Sequence, residues 1–179
     1  MTLLKEKSAD GEKESSCKIM LPEITIEEVF ERVRAAAKNI SDNQSEVWHM
    51  TEWNICHHLA NALGQEFGDY KIDVELIKID GRRPDIVIHH RGGHENNLVV
   101  FEVKKNPTTV AVAEDLNKIR DTFFNEPYKY RYGIFISIGK LPNPLPEFDI
   151  ERIRVLEVYG WREMTQEEFE QKAHPRTNL

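Results

Sequence analysis

The sequence lacks the features of a membrane protein or of a disulfide-stabilised one. It has two cysteines, Cys17 and Cys56, among 179 residues, which favours a reducing cytoplasm over an oxidising compartment. Its apolar runs are short, as in Leu98-Val99-Val100-Phe101, whereas a membrane-spanning helix needs about 20 apolar residues. The segment before Met20 is polar, so no signal peptide is expected. These absences predict a cytoplasmic protein with no membrane partner.

An excess of positive charge is also missing, because the formal net charge is −7. Taken whole, this charge disfavours non-specific binding to polyanions. The charge is uneven, however: residues 71–140 hold 12 Lys/Arg and 10 Asp/Glu, a net of +2, and the remaining residues hold 12 and 21, a net of −9. The middle of the chain could therefore face a phosphate backbone, although plain surface solvation explains the same imbalance.

The hydrophobic patterning predicts a disordered tail over residues 1–22 and a single domain over residues 23–179. Thr25 and Glu28 form a capping-box pattern that predicts the start of the first helix. The first expected helix begins at Thr25. The other expected helices span about 45–67, 109–125 and 165–172. The expected strands span about 70–79, 84–89, 98–104, 132–138 and 152–159. This order predicts an α/β fold with a mixed central sheet flanked by helices.

Two charged side chains stand near the end of the most apolar strand, in Val99-Val100-Phe101-Glu102-Val103-Lys104. Positions i and i+2 of a strand share a face, so Glu102 and Lys104 should project together. A structural ion pair is one explanation, because partly buried charges persist mainly when they are paired. A catalytic pair is the other.

Asp85 follows Pro84 in the sole Pro-Asp dipeptide of the chain, 17 residues before Glu102. If the second and third strands pair through the loop at 91–97, the carboxyl groups of Asp85 and Glu102 should lie side by side. Such a pair repels and raises each other's pKa unless a cation lies between them. Carboxylate oxygens favour Mg²⁺ or Mn²⁺ over zinc.

A third carboxylate, Glu52, falls in the centre of the apolar stripe of the helix expected over residues 45–67. On that helix the stripe includes Trp48, Cys56 and Leu59. An unpaired carboxylate on such a face is costly, so we expect it to meet a cation or a donor. A local role near the helix start is the alternative.

The residues Glu52, Pro84-Asp85 and Glu102-Val103-Lys104, set on helix–strand–strand–strand–helix–strand, resemble the PD-(D/E)XK phosphodiesterase superfamily. The resemblance covers about residues 45–140 and implies a restriction-endonuclease-like αβββαβ core. An acidic-x-Lys triplet also occurs at Asp69-Tyr70-Lys71 and Glu170-Gln171-Lys172. The specificity therefore comes from where the triplet 102–104 stands in the chain.

The resemblance implies a role for each of these residues. Asp85, Glu102 and the carbonyl of Val103 would bind Mg²⁺, with Mn²⁺ as a substitute. Lys104 would orient the attacking water or stabilise negative charge, and Glu52 would assist a metal. A polar residue of the following helix often reaches the site in this family, and the candidates here are Glu114, Asp115 and Lys118.

Other polar residues remain open to more than one interpretation. Arg82 and Arg83 are candidates for phosphate contact together with Lys118, although solvated turn arginines explain the first two equally well. The pairs His57-His58 and His89-His90 have no recognised zinc-ligand spacing. A zinc-binding regulatory protein is thus a weaker alternative.

The sequence as a whole predicts a Mg²⁺-dependent nuclease that hydrolyses phosphodiester bonds of nucleic acid, most naturally DNA. A homodimer is one arrangement that would let such a fold cut both strands. The alternative is a catalytically inactive module of the same fold that binds nucleic acid or a protein partner, which the acidic net charge mildly favours.

Overall fold

The computed structural model describes residues 24–77, 81–90, 96–159 and 162–163. The expected tail over residues 1–22, with Cys17, lies outside the described residues, as does the expected helix over 165–172. Among the described helices, none has the length and apolar content required to cross a bilayer.

The described chain forms three α-helices, one 3₁₀ turn, one π-helical turn and six strands. The helical elements are α1 (Ile26–Asn43), the 3₁₀ turn (Ser45–His49), α2 (Glu52–Glu66), α3 (Thr109–Lys118) and the π turn (Ile119–Phe123). The strands are β1 (Lys71–Val74), β2 (Ile86–His89), β3 (Asn97–Lys105), β4 (Tyr132–Ile138), β5 (Ile153–Tyr159) and β6 (Arg162–Glu163).

The strands form one mixed sheet in the order β1-β2-β3-β4-β5-β6. The first three strands are an antiparallel meander, and β3, β4 and β5 run parallel to one another. The parallel step from β3 to β4 passes through α3, since parallel neighbours need a crossover connection. The predicted α/β class and mixed central sheet are therefore confirmed.

Both faces of the sheet are covered, which explains why β3 is apolar along most of its length. Val99, Phe101 and Val103 pack in the core shared with α1 and α2. Val100 points the other way, into the core beneath α3. A strand buried on both faces reads as a continuous hydrophobic run instead of an alternating one. Glu102 and Lys104 share the α3 face with Val100, as the alternation predicts.

The helix expected over 45–67 is two elements, and that prediction was wrong. The first is the 3₁₀ turn, which ends at Met50 in an extended conformation. Thr51 then acts as a new N-cap, and its side chain accepts a hydrogen bond from the Asn54 N–H. A threonine N-cap supplies one of the acceptors that the first turn of a helix lacks, so α2 begins afresh at Glu52.

Candidate active site

Pairing between β2 and β3 brings the first two carboxylates together. Ile86 is paired with Phe101. The next residues outward are Asp85, just before β2, and Glu102 in β3. The Asp85 N–H donates to the Phe101 carbonyl at 3.2 Å. The Asp85 carboxylate accepts a hydrogen bond of 2.7 Å from the Val103 N–H through Oδ2. Asp85 is thus anchored to the β3 backbone on either side of Glu102.

Helix α3 adds two more charged groups beside the end of β3. The Lys118 ammonium lies 2.7 Å from Glu102 Oε1, and Glu102 is 1% exposed. The Lys104 ammonium lies 4.0 Å from Asp115 Oδ2. Lys118 also donates to the Arg83 carbonyl at 3.3 Å. The structure therefore selects Asp115 and Lys118 from the three candidates of this helix and leaves the third, Glu114, exposed.

Glu52 reaches the end of β3 from α2, but in a manner the sequence did not indicate. Its Oε1 accepts a hydrogen bond of 2.8 Å from the backbone N–H of Lys105, the last residue of β3. Glu52 is the first residue of α2 and is half-buried. The expected place of Glu52 in the centre of a continuous apolar stripe was wrong, because the helix does not continue back to Trp48. The expected donor is present, and it is the Lys105 N–H.

We call the group of Glu52, Asp85, Glu102, Asp115, Lys104 and Lys118 the acid–lysine cluster. Its four carboxylates and two ammonium groups give a formal charge of −2 when all are ionised. One divalent cation would neutralise that charge, and carboxylate oxygens are the ligands that Mg²⁺ and Mn²⁺ prefer. The chemistry of the donor set therefore fits the expected metal.

The pKa values of the acidic groups show that their charged forms are disfavoured. Burial, reinforced by the negative charge of Asp85, raises the pKa of Glu102 to about 8. Burial also raises the pKa of Asp85, although the Val103 N–H and Lys104 oppose it. The pKa of Asp115 rises for the same reason, burial. A positive ion beside these groups would favour their charged forms.

The same surroundings favour the charged form of Lys104, whereas they disfavour the charged forms of the carboxyl groups. Burial alone would lower the pKa of Lys104, but the surrounding carboxylates, led by Asp115 and then Asp85, outweigh burial and raise it. The amine therefore remains protonated at neutral pH, since the usual lysine pKa is already near 10.4. This state suits an electrostatic stabiliser and does not suit a general base.

Val103 and Lys105 point away from Glu102 and Lys104. The Val103 side chain is in the core under α1 and α2, and its N–H holds Asp85. The Lys105 ammonium donates to the carbonyls of Met50 at 2.8 Å and His49 at 3.3 Å. Lys105 thus ties the segment just before α2 to the end of β3. The Val103 carbonyl stays a predicted ligand.

The two arginines flank the cluster and are exposed. Arg82 donates to the Thr122 hydroxyl at 2.5 Å, and Arg83 pairs with Glu75 at 3.3 Å. Both side chains have protein partners on the surface beside Asp85. Phosphate contact by these arginines stays a prediction.

The histidines are dispersed over separate contacts. His89 lies 2.7 Å from Asp73, His58 contacts Gln44, and His57 packs against the ring of Trp53. In the part of the chain that the structure describes, no group of three or more His, Cys, Asp or Glu has the arrangement of a ready metal site. A site at the acid–lysine cluster would therefore require its side chains to close around the ion. The dispersed contacts give the zinc alternative no support.

The raised pKa of Glu102 predicts how stability depends on pH when metal is removed. The folded protein retains a proton that the unfolded chain, with an ordinary Glu pKa of 4.5, has released. Stability contributed by this group is therefore present at low pH and is lost as the pH rises from about 4.5 to about 8. Glu102→Gln should flatten this slope in urea titrations run in EDTA.

The control is Glu147→Gln, which alters an exposed carboxylate in the loop before β5 and should leave the slope as it is. Equal slopes in the wild-type protein and in Glu102→Gln would contradict the assignment of Glu102 as the titrating group.

Two substitutions at Glu52 separate its hydrogen bond from its charge. Glu52→Gln keeps an oxygen that can accept the Lys105 N–H, so the free energy of unfolding should change by less than about 1 kcal/mol, the size of a helix-dipole contribution. Glu52→Ala loses the bond as well and should cost about 1 kcal/mol more. If the charge serves the cluster, Glu52→Gln should still lose activity at least about tenfold, or roughly 1.4 kcal/mol.

Chemical denaturation and a cleavage assay on the same samples measure both effects. A fully active Glu52→Gln protein would remove Glu52 from the site and leave it as a tie between α2 and β3.

Comparison with known proteins adds no relative to this picture: no family model, no curated protein and no solved structure matches the chain.

Proposed function

We propose that the protein is a divalent-metal-dependent nuclease that hydrolyses phosphodiester bonds of nucleic acid, with DNA as the expected substrate. One observation carries the proposal: Asp85 and Glu102 meet at the end of β3 with Lys104 on the same face as Glu102. A buried carboxylate beside a half-buried one that repels it is a costly arrangement for a structural role alone. A phosphodiesterase site explains why they are there.

The order of elements supports a place in the PD-(D/E)XK superfamily. A helix, a three-stranded meander, a crossover helix and a parallel strand follow one another. Four positions fall at the end of the sheet where β3 ends, namely Glu52, Asp85, Glu102 and Lys104. In this proposal Asp85, Glu102 and the Val103 carbonyl hold Mg²⁺, or Mn²⁺ in its place.

The chain's own groups then have distinct tasks. When bound, Mg²⁺ would supply Lewis acidity toward the phosphate and a water of lowered pKa. Lys104, which stays protonated, would stabilise the negative charge that develops at phosphorus. Glu52 would hold its charge at the opening of the site while it fastens α2 to β3. Lys118 contacts one side of Glu102 and would leave the other side of that carboxylate open to the cation.

A second candidate function is a catalytically inactive module that binds nucleic acid or a protein partner. One observation favours it: Lys118 already pairs with the buried Glu102 at 2.7 Å, so the cluster has a cation of its own. The acidic net charge of −7 agrees with weak general affinity for polyanions.

The deciding experiment incubates purified protein with plasmid, single-stranded DNA or RNA, each in Mg²⁺, Mn²⁺ or EDTA. Cleavage with either metal and none in EDTA is the expected result. Lys104→Ala protein, purified in the same way, reports any contaminating nuclease. Intact substrates in every metal, together with measurable binding, would favour the inactive module instead.

A further inference from the structure

Asp115 is a carboxylate that the fold places inside the molecule. It is 8% exposed, and its neighbours Val112 and Leu116 lie in the core between α3 and the sheet. Glu114, the residue before it, is exposed, as acidic side chains usually are. An inward carboxylate costs free energy unless a donor or a cation meets it. Asp115 therefore needs a partner in the interface between α3 and the sheet.

The described residues supply that partner only in part. Asp115 Oδ2 is buried and accepts no hydrogen bond from any residue that the structure describes. The Lys104 ammonium lies 4.0 Å from this oxygen, which is outside hydrogen-bond distance. A buried acceptor without a donor is rare in folded proteins, and a bound ion or water is a usual reason for it.

Glu102 lies on the sheet side of the same interface and shares this feature. It projects from the face of β3 that also carries Val100, whose side chain is in the core beneath α3. Glu102 Oε1 is buried and lies 2.7 Å from the Lys118 ammonium, but the contact lacks the geometry of a hydrogen bond. Two buried carboxylate oxygens, one from the helix and one from the sheet, thus lack a regular donor.

The charges of these carboxylates act on one another, which indicates that the groups converge. Burial raises the pKa of Glu102 most, the charge of Asp85 adds to it, and the charge of Asp115 adds further. Burial also leads the rise in the pKa of Asp115, and Asp85 reinforces that rise against the two lysines. Asp85, Glu102 and Asp115 are therefore within electrostatic range of one another.

A divalent cation suits these oxygens better than water or an ammonium group does. Water donates hydrogen bonds but leaves the repulsion among three carboxylates in place. An ammonium group is a single positive charge with three donors, and the cluster already contains two of them, Lys104 and Lys118. Mg²⁺ and Mn²⁺ carry two charges and accept carboxylate oxygens from several directions.

We propose that Asp115 is a third carboxylate ligand of the divalent cation, supplied by α3 and added to Asp85 and Glu102. This inference rests on the proposed nuclease function, because it concerns the same cation. The described residues contain no ready group of three ligands, so Asp115 would join the other two as the side chains close around the ion. Since Asp115 is the carboxylate beside Lys104, the same change would leave the Lys104 ammonium to the phosphate.

A purely structural explanation assigns Asp115 to Lys104 alone. Under that explanation, Asp115 holds the lysine in place and affects turnover through it, without contact with the cation. The two explanations differ in metal binding when substrate is absent. A ligand sets the affinity of the protein for the cation, whereas a partner of Lys104 does not.

The test measures binding of Mn²⁺ alone to the full chain by isothermal titration calorimetry, without nucleic acid. Asp115→Asn keeps the volume of the side chain and removes its charge. It should raise the Kd for Mn²⁺ by about tenfold or more, because even groups that only support metal ligands change metal affinity by roughly 10- to 100-fold. Asp115→Ser, a smaller neutral variant, should show the same loss. Melting curves in EDTA establish that each variant is folded.

Two further variants serve as controls. Glu114→Gln removes the adjacent exposed carboxylate and should bind Mn²⁺ as the wild-type protein does. Lys104→Ala removes the positive group beside Asp115. Mn²⁺ binding should then be unchanged or tighter, since a charge that repels the cation is gone.

Three results would overturn the inference: a wild-type Kd in both Asp115 variants, an equal loss in Glu114→Gln, or the same loss in Lys104→Ala. Cleavage by the wild-type protein in Mn²⁺, assayed separately, would still support the nuclease in each of these cases. Asp115-dependent binding of Mn²⁺ with no cleavage of any nucleic acid would remove the nuclease and keep the ligand. A wild-type protein that binds no Mn²⁺ would remove both.

Discussion

Asp85→Asn should abolish both the stabilisation of the protein by Mg²⁺ and its nuclease activity. A ligand that binds only the folded state stabilises it by an amount that grows with the logarithm of the ligand concentration once that exceeds the dissociation constant, so the melting temperature rises. The asparagine oxygen can still accept the Val103 N–H, but the charge that would hold the cation is gone. Activity should fall by about 10³-fold or more, because a bound metal contributes several kcal/mol to charge stabilisation.

Metal-free stability should be unchanged or higher in Asp85→Asn, since burial already raises the pKa of Asp85 and disfavours its charge. The control is Asp42→Asn, which alters an exposed ion pair with Lys38 on α1 and should keep the full metal response. The measurements are melting curves over a Mg²⁺ titration and initial cleavage rates. An unchanged metal shift in Asp85→Asn would contradict the ligand assignment.

Lys104→Ala and Lys105→Ala should differ in kind, although the two lysines are adjacent. Lys104 lies on the face of Glu102, so Lys104→Ala should lower the rate by about 10²-fold or more, the scale of losing one transition-state stabiliser. Lys105 holds the carbonyls of Met50 and His49. Its loss should lower the free energy of unfolding by about 1 kcal/mol and leave most of the rate intact.

Each lysine thus acts as the control for the other, in one set of denaturation curves and single-turnover rates. Equal losses of rate in the two variants would contradict the assignment of the lysines to opposite faces of β3.

Lys118 explains how the cluster is tolerated before a cation binds. Its ammonium lies against the buried Glu102 and partly offsets the effects of burial and of the Asp85 charge, which raise the pKa of Glu102. An ammonium group provides charge but no ligand geometry. A divalent cation bound on the other side of Glu102, with this contact kept, is compatible with the proposed function.

The order of helices and strands could be predicted from the sequence because it depends on short-range patterns. The capping box of Thr25 and Glu28 forms as expected, and the apolar run of β3 marks a strand buried on both faces. The pairing of Asp85 beside Glu102 also followed, because a hairpin between β2 and β3 leaves few registers that bury both strands.

The break between the 3₁₀ turn and α2 was missed, because a helical wheel assumes one continuous axis. Thr51 carried the signal: a threonine before an acidic residue is a common helix start. The predicted surroundings of Glu52 were therefore wrong. Glu52 does not lie in an apolar stripe, and its carboxylate accepts a hydrogen bond from the Lys105 N–H beside the cluster.

The sequence by itself determined the class of fold and the strand that carries Glu102 and Lys104, since alternation within one strand is a local property. Only the tertiary structure decided between Asp115, Lys118 and Glu114, and only it separated buried Trp48 from exposed Trp53. Those choices depend on how α2 and α3 dock on the sheet. Docking is set by packing between residues distant along the chain, which no local pattern records.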